Sequence, residues 1–221
     1  MSNVSNIKHI NIPTQVDVPS LVFIVGQLFV QTAVAAQPKF ISSGVISTTN
    51  LLPSADLLSD VRHMQVNAYT DTAPQTDFTI VTVSSSHIAN AEQGIVCLGF
   101  NNYSWSLNND GTTGKNLARV VVSPDTYESN LLAQQNTTDQ KLISVVCKAN
   151  GDMVGYYNST VQNTGNYSAD YFNFQFRLGV KDAVVADSLN GTIQEVIIFD
   201  GDKTSDLAEI HTDINNHYSI Y

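Results

Sequence analysis

Acid–base, metal and thiol chemistry could come from four glutamates, five histidines and two cysteines in this 221-residue chain. Two carboxylates that retain configuration while cleaving a glycosidic bond must stand about 5–5.5 Å apart. On a strand, alternate positions bring side chains to one face. None of Glu92, Glu128, Glu195 and Glu209 has an acidic residue two positions on. His9, His63, His87, His211 and His217 accompany no G-x-S-x-G nucleophile elbow. His211 and His217 are six residues apart near the end of the chain, off the i, i+4 spacing that brings two imidazoles to one metal ion. Both read as surface or interface residues. Asp200-Gly201-Asp202, with Asp206 beyond, matches the start of an oxygen-rich loop. An EF-hand would continue with Gly at position six and Glu at position twelve, where this chain has Ser205 and His211. Asp200 and Asp202 are therefore either ligands of one Ca²⁺ ion or a turn leading into a helix. No other cofactor is expected, and no enzymatic activity.

Saccharides ask for something different: a flat aromatic surface for the apolar face of the ring, with amide and hydroxyl groups at its rim. The stretch NNYSWSLNND offers Asn102, Tyr103 and Trp105 in this arrangement, and Tyr157 belongs to a second concentration of aromatics. The competing reading is that Trp105 packs inward, as a large ring on a short strand does. The net charge is −10, which disfavours a phosphate-backbone partner because that needs a basic face. Cys97 and Cys147 each fall in an apolar run, GIVCLGF and LISVVCKA, and read as two buried small residues. A disulfide between them has no support in their spacing.

Only 14% of residues are charged, and Asn, Ser and Thr are abundant, a mix that suits short strands joined by polar turns. DFTIVTVS, GIVCLGF, YSWSL and LARVVVS read as strands. QKLISVVCKA and DMVGYYN flank Asn150-Gly151, the dipeptide that best supports a hairpin turn. YFNFQFRL alternates, placing Phe172, Phe174, Phe176 and Leu178 on a dry face and Arg177 on a polar one. Asn190-Gly191 feeds a β-branched run, Ile193 to Phe199. An Asp-Gly-Asp turn and an amphipathic helix follow, with Ser205 or Asp206 as N-cap and Leu207, Ile210, Ile214, Tyr218 and Tyr221 along one face.

The chain begins differently. Residues 1–20 are polar and broken by Pro13 and Pro19, and read as an extended arm ordered against something else. The apolar stretch Leu21 to Ala36 is short for a membrane span, which takes about 18 residues or more, and it carries Gln27 and Gln31. Two strands or a buried helix suit it better, with Leu21, Phe23, Leu28 and Phe29 as anchoring residues; membrane contact is the lesser alternative. A helical turn is expected after Pro53.

The closing pattern G-x-I-x-E-V-I-I-F, followed by a turn and a helix starting S-D-x-x-E, resembles the end of laminin-G / concanavalin A-like jelly-roll domains. KLISVVCKANGDMVGYYNS and FNFQFRLGV extend the resemblance over residues 64–221, although Asn158-Ser159 stands where the family has Asn-Gly. It implies an all-β, two-sheet jelly-roll sandwich with a short C-terminal helix, here with an extended N-terminal arm. Residues 1–62 would anchor or oligomerise and residues 63–221 would form the jelly roll. The resemblance also implies that calcium can bind at one rim. Catalytic relatives on this fold carry E-x-D-x-x-E or E-x-D-x-E on one strand, which this chain lacks. Domains of this look occur in bacteriophage fibres, spikes and capsid decorations. The expected role is thus a non-enzymatic virion protein, a homo-oligomer such as a trimer in contact with other virion proteins, with a host surface glycan as its further partner. The alternative is a secreted, extracellular carbohydrate-binding module, and a glycoside hydrolase comes last.

Overall fold

A computed structural model describes residues 22–24, 27–29, 41–42, 45–46, 48–49, 52–53, 55–56, 64–65, 77–88, 93–100, 103–109, 116–122, 125–129, 138–166, 176–180 and 188–221. Short strands come first: β1 (Val22–Ile24), β2 (Gln27–Phe29), β3 (Ile41–Ser42), β4 (Val45–Ile46), β5 (Thr48–Thr49), β6 (Leu52–Pro53), β7 (Ala55–Asp56) and β8 (Met64–Gln65). Longer ones follow: β9 (Phe78–Ser86), β10 (Gln93–Phe100), β11 (Tyr103–Asn109), β12 (Asn116–Val122), β13 (Asp125–Ser129), β14 (Lys141–Cys147), β15 (Asp152–Tyr157), β16 (Thr160–Asn166), β17 (Phe176–Leu178) and β18 (Gly191–Asp200). The helix α1 (Leu207–Tyr218) ends the chain.

Two six-stranded sheets form the sandwich, one in the order β13-β12-β11-β10-β17-β8 and the other β16-β15-β14-β9-β18-β7. Every pairing within them is antiparallel. Where it is described, the apolar stretch after residue 20 contributes strands: β1 and β2 form a hairpin in which Phe23 faces Leu28 and Val22 faces Phe29. Leu21 and residues 1–20 lie outside the described residues. The segment after Pro53 gives no helical turn where it is described, because Ala55 and Asp56 pair as an edge strand with Ile193 and Thr192 of β18.

The second sheet is covered on both sides. β9 is buried at all nine positions and β14 at all seven. Their alternating apolar and hydroxyl residues therefore serve two packing surfaces rather than one dry face and one wet one. Alternate residues Val81 and Val83 of β9, Leu142 and Val146 of β14, and Ile197 and Phe199 of β18 pack against Leu207, Ile214 and Tyr218 of α1. Each fully buried Leu or Ile in that layer stabilises the fold by about 1.5–3 kcal/mol. The opposite side of the sheet turns towards the first sheet, and the hydrogen bond from Ser86 Oγ to Gln93 Oε1 (2.6 Å) joins the two.

Two glycines are dictated by geometry. Gly151 takes φ +88° in the β14–β15 turn, as its Asn-Gly sequence requires. Gly191 is needed for space: a Cβ there would lie 2.1 Å from the Ser85 carbonyl oxygen.

The helix departs from expectation in three places. Asp206 is the N-cap but makes no side-chain capping bond; its carboxylate accepts from Ser205 Oγ instead. Tyr221 lies beyond the helix and is 53% exposed, with its hydroxyl hydrogen-bonded to Ser159 Oγ. His211 is buried rather than superficial, because it stands four residues after Leu207 and three before Ile214, on the covered face. Past the left-handed Ser219, Asn215 Oδ1 accepts from the amides of Ile220 and Tyr221, folding the last residues back onto the helix.

Candidate functional site

The first sheet has two faces, and its register tells them apart. Residues directly opposite in an antiparallel pair share a face. Gln93, which reaches the second sheet through Ser86, pairs with Asn109, so the odd-numbered positions of β11 lie on the inner face. Tyr103 and Trp105 occupy two of those positions. Trp105 stands in a row with Leu98, Val120, Tyr127 and Phe176, and Tyr103 in a row with Phe100 and Val122. Ser104, Ser106 and Asn108 take the alternate positions, in rows with Arg119, Val121, Thr126 and Glu128. The sequence thus splits β11 into an aromatic lane and a hydroxyl–amide lane.

At the other end of the second lane, Cys97 stands opposite Arg177, and both are buried, at 0% and 8% exposure. Arg177 was expected on the polar face of its strand and is buried there. Of the remaining glycan candidates, Tyr157 lies half-buried in β15 of the second sheet, away from the strand that holds Tyr103 and Trp105. Asn102 lies outside the described residues.

A second polar group, inside the sandwich, was not visible in the sequence. Lys141 opens β14 directly opposite Ser84 of β9 and is 1% exposed. The buried Ser84 Oγ has no hydrogen-bond partner. Nearby in register, Gln194 is the extra residue of a bulge in β18 and accepts from Gln140 Nε2. Burial pushes the Lys141 ammonium down to about 8, against the opposing charge of the exposed Asp139. The unfolded chain holds this proton up to its ordinary value of 10.5, so stability rises as pH climbs from about 8 towards 10.5. Over that window the gain is on the order of 3 kcal/mol. Lys141→Met keeps the stem and removes the charge. It is expected to stabilise the fold by about 1–3 kcal/mol at pH 7 and to flatten the alkaline rise, as urea melts at pH 7, 9 and 10 will show.

The Asp200-Gly201-Asp202 segment is a turn in which Gly201 has φ +90°. The Asp202 carboxylate is engaged locally: Oδ1 accepts from the Thr204 amide (2.8 Å) and hydroxyl (2.5 Å), and Oδ2 lies 3.5 Å from Lys148 Nζ. Burial works to raise its pKa, but the Thr204 hydrogen bonds and the Lys148 charge outweigh this and hold it below the usual value. Among the described residues no three His, Cys, Asp or Glu side chains gather as a metal site. Cys97 and Cys147 are buried thiols in different sheets, not joined by a disulfide. No helix among the described residues is long and apolar enough to cross a membrane.

The outer face of the second sheet holds two further buried polar contacts. Ser144 Oγ is 2.7 Å from His211 Nε2, and Glu195 hydrogen-bonds the Tyr218 hydroxyl, whose pKa is raised by burial first and by Glu195 second. His211, read from the sequence as a surface or interface residue, belongs to this covered face.

The chain matches no protein-family model and no curated protein. Solved structures do share its architecture. Domain 4 of AbnA, an extracellular GH43 arabinanase from Geobacillus stearothermophilus, in complex with arabinotriose, aligns over 76% of this chain and 82% of its own, with 17% identity and a TM-score of 0.60. The CBM40 of a Ruminococcus gnavus IT-sialidase, bound to α2,3 sialyllactose, aligns over 62% and 81%, with 16% identity and a TM-score of 0.51. A botulinum neurotoxin type C structure, described as interacting with two ganglioside molecules, aligns over 71% and 39%, with 15% identity and a TM-score of 0.53. This chain spans only 39% of the chain in a receptor-binding-domain structure that it also matches. At such identities the likeness is one of fold, and the fold is a two-sheet jelly-roll sandwich closed by a C-terminal helix.

Proposed function

We propose that this chain is a non-catalytic, lectin-like jelly roll that binds a host-surface glycan and is displayed on a virus particle. The observation that carries the binding reading is the register of β11. It sets Ser104, Ser106 and Asn108 in one polar lane with Arg119, Thr126 and Glu128, whose β13 end lies away from the buried Cys97–Arg177 pair. Hydroxyl, amide and charged groups in adjacent rows match the rim of a saccharide, which donates and accepts through vicinal hydroxyls. The occurrence of the same fold in modules bound to arabinotriose and sialyllactose supports this reading. The virion setting rests on the low-charge, Asn/Ser/Thr-rich composition and on residues 1–62 as an anchoring and oligomerising segment, in which Leu21, Phe23, Leu28 and Phe29 would take part. Calcium at Asp200 and Asp202, where Thr204 and Lys148 already engage the Asp202 carboxylate, is the lesser proposal, to be read from any shift in melting temperature on adding Ca²⁺ or EDTA.

A glycan array with the full chain tests the binding. Retention of a saccharide class is expected, weakened about tenfold by Asn108→Ala, the loss of one good hydrogen bond. Trp105→Ala should lower the melting temperature instead. Loss of binding on Trp105→Ala with unchanged stability would move the site to the aromatic lane, and an array with no retained glycan would reject the function. Native mass spectrometry at micromolar concentration should show a homo-oligomer; a monomer argues against the anchoring role.

A further inference from the structure

The face of α1 that covers the second sheet has an ionisable group at its centre. His211 is 2% exposed, flanked along the helix by Leu207, Ile214 and Tyr218. Its ring meets Tyr156 edge-on at 5.9 Å, and Ser144 Oγ is its hydrogen-bond partner. Other titratable groups on this side of the sheet already have their own contacts. Glu195 of β18 bonds Tyr218, and Lys148, after β14, pairs with Asp202. Glu209, Asp213 and His217 of α1 itself are exposed, and Asp206 is half-buried at the cap. None of the described carboxylates forms an ion pair with the His211 ring, and burial alone lowers its pKa to about 4. A neutral imidazole fits this seat well. An imidazolium would still donate one hydrogen bond to Ser144, but would bury a charge and a second N–H.

We propose that α1 is an acid-released strap: protonation of His211 loosens the helix from the sheet and uncovers the apolar face beneath, while the two sheets stay folded. The surface uncovered is built from Val81, Val83, Leu142, Val146, Ile197 and Phe199. The sign follows from linkage. An undocked His211 takes up its proton near pH 6.5 and the docked one near 4, so docking is strongest above 6.5 and weakens as pH falls between these values. The opening equilibrium should rise roughly a hundredfold between pH 7 and pH 4. α1 can open on its own because it follows the last strand, β18, and contributes no strand to either sheet. Release breaks the bonds of Tyr218 to Glu195 and of Tyr221 to Ser159, whereas the Asn215 contacts with Ile220 and Tyr221 move with the helix. The device is independent of the glycan-binding reading.

Native-state amide exchange on the full chain, corrected for intrinsic rates and followed from pH 7 to pH 4, tests it. Amides of residues 207–218 should lose about a hundredfold in protection while those of β9 and β14 keep theirs, and in His211→Gln the helix should hold constant. Three outcomes overturn the proposal: helix protection unchanged at pH 4, β9 and β14 opening together with the helix, or an equal loss in His211→Gln. Should that variant fail to fold, the ring titration of the unmodified protein decides. A His211 value near 4 supports the strap, and one near 6.5 with the helix still protected refutes it.

Discussion

Gly191→Ala is expected to destabilise the sandwich by about 3 kcal/mol or more, and in a marginal domain to prevent folding. The added Cβ would meet the Ser85 carbonyl oxygen at 2.1 Å and the Ser86 Cα at 3.0 Å, both of them backbone atoms of β9. A flexible side chain could swing aside, but a buried central strand cannot. β9 is held by β14 on one edge and β18 on the other, so moving it strains two ladders. Ser85 and Thr192, whose hydroxyls lie 2.7 Å apart in the buried row beside Gly191, would be separated as well. Gly201→Ala is the informative control. There a Cβ has room, with Asp77 Oδ2 the nearest atom at 3.7 Å, and only the φ of +90° is unfavourable. It should cost about 1–2 kcal/mol. Chemical denaturation of the two variants side by side separates steric from conformational demand, and equal losses would refute the close-approach account.

Ile214→Asp should cost about 3–5 kcal/mol, because it sets a carboxylate on the helix face that packs against Val81, Leu142 and Ile197. Ile214 is 6% exposed and Ile210, one turn earlier, is only partly buried at the edge of the same cluster. Ile210→Asp is therefore expected to lose less, since its carboxylate can reach water. Thermal melts at pH 7 give the order, and a variant Ile214→Asp that melts like the parent would show that α1 does not close the sandwich. Protonating the new carboxylate below its pKa should recover part of the loss, the opposite pH dependence to that of His211.

Periodicity makes much of this fold legible. Strands β9, β14, β15 and β18 and the helix follow from β-branched runs, the Asn150-Gly151 turn and the three- and four-residue spacing of Leu207, Ile210, Ile214 and Tyr218. The same spacing contained His211, but a histidine has no fixed preference for interior or surface, and only the sheet beneath it settles which it takes. β13 was not foreseen, because DTYES carries no apolar alternation and becomes a strand by pairing with β12.

What the sequence by itself determined is the all-β class, the closing helix and the absence of a paired-carboxylate or nucleophile motif, since these are local patterns of residue type. What only the tertiary structure decided is which face each residue occupies. Trp105 and Ser106 are neighbours in the chain, yet the Ser86–Gln93 bond between sheets and the β10–β11 register assign them to opposite sides. Lys141 opens an ordinary strand, and it becomes a buried ammonium because Ser84 opposes it inside a sheet covered on both sides. The physical reason is common to both cases. Alternation along a strand separates two faces without labelling them, and only contact with a second layer makes one of them the interior.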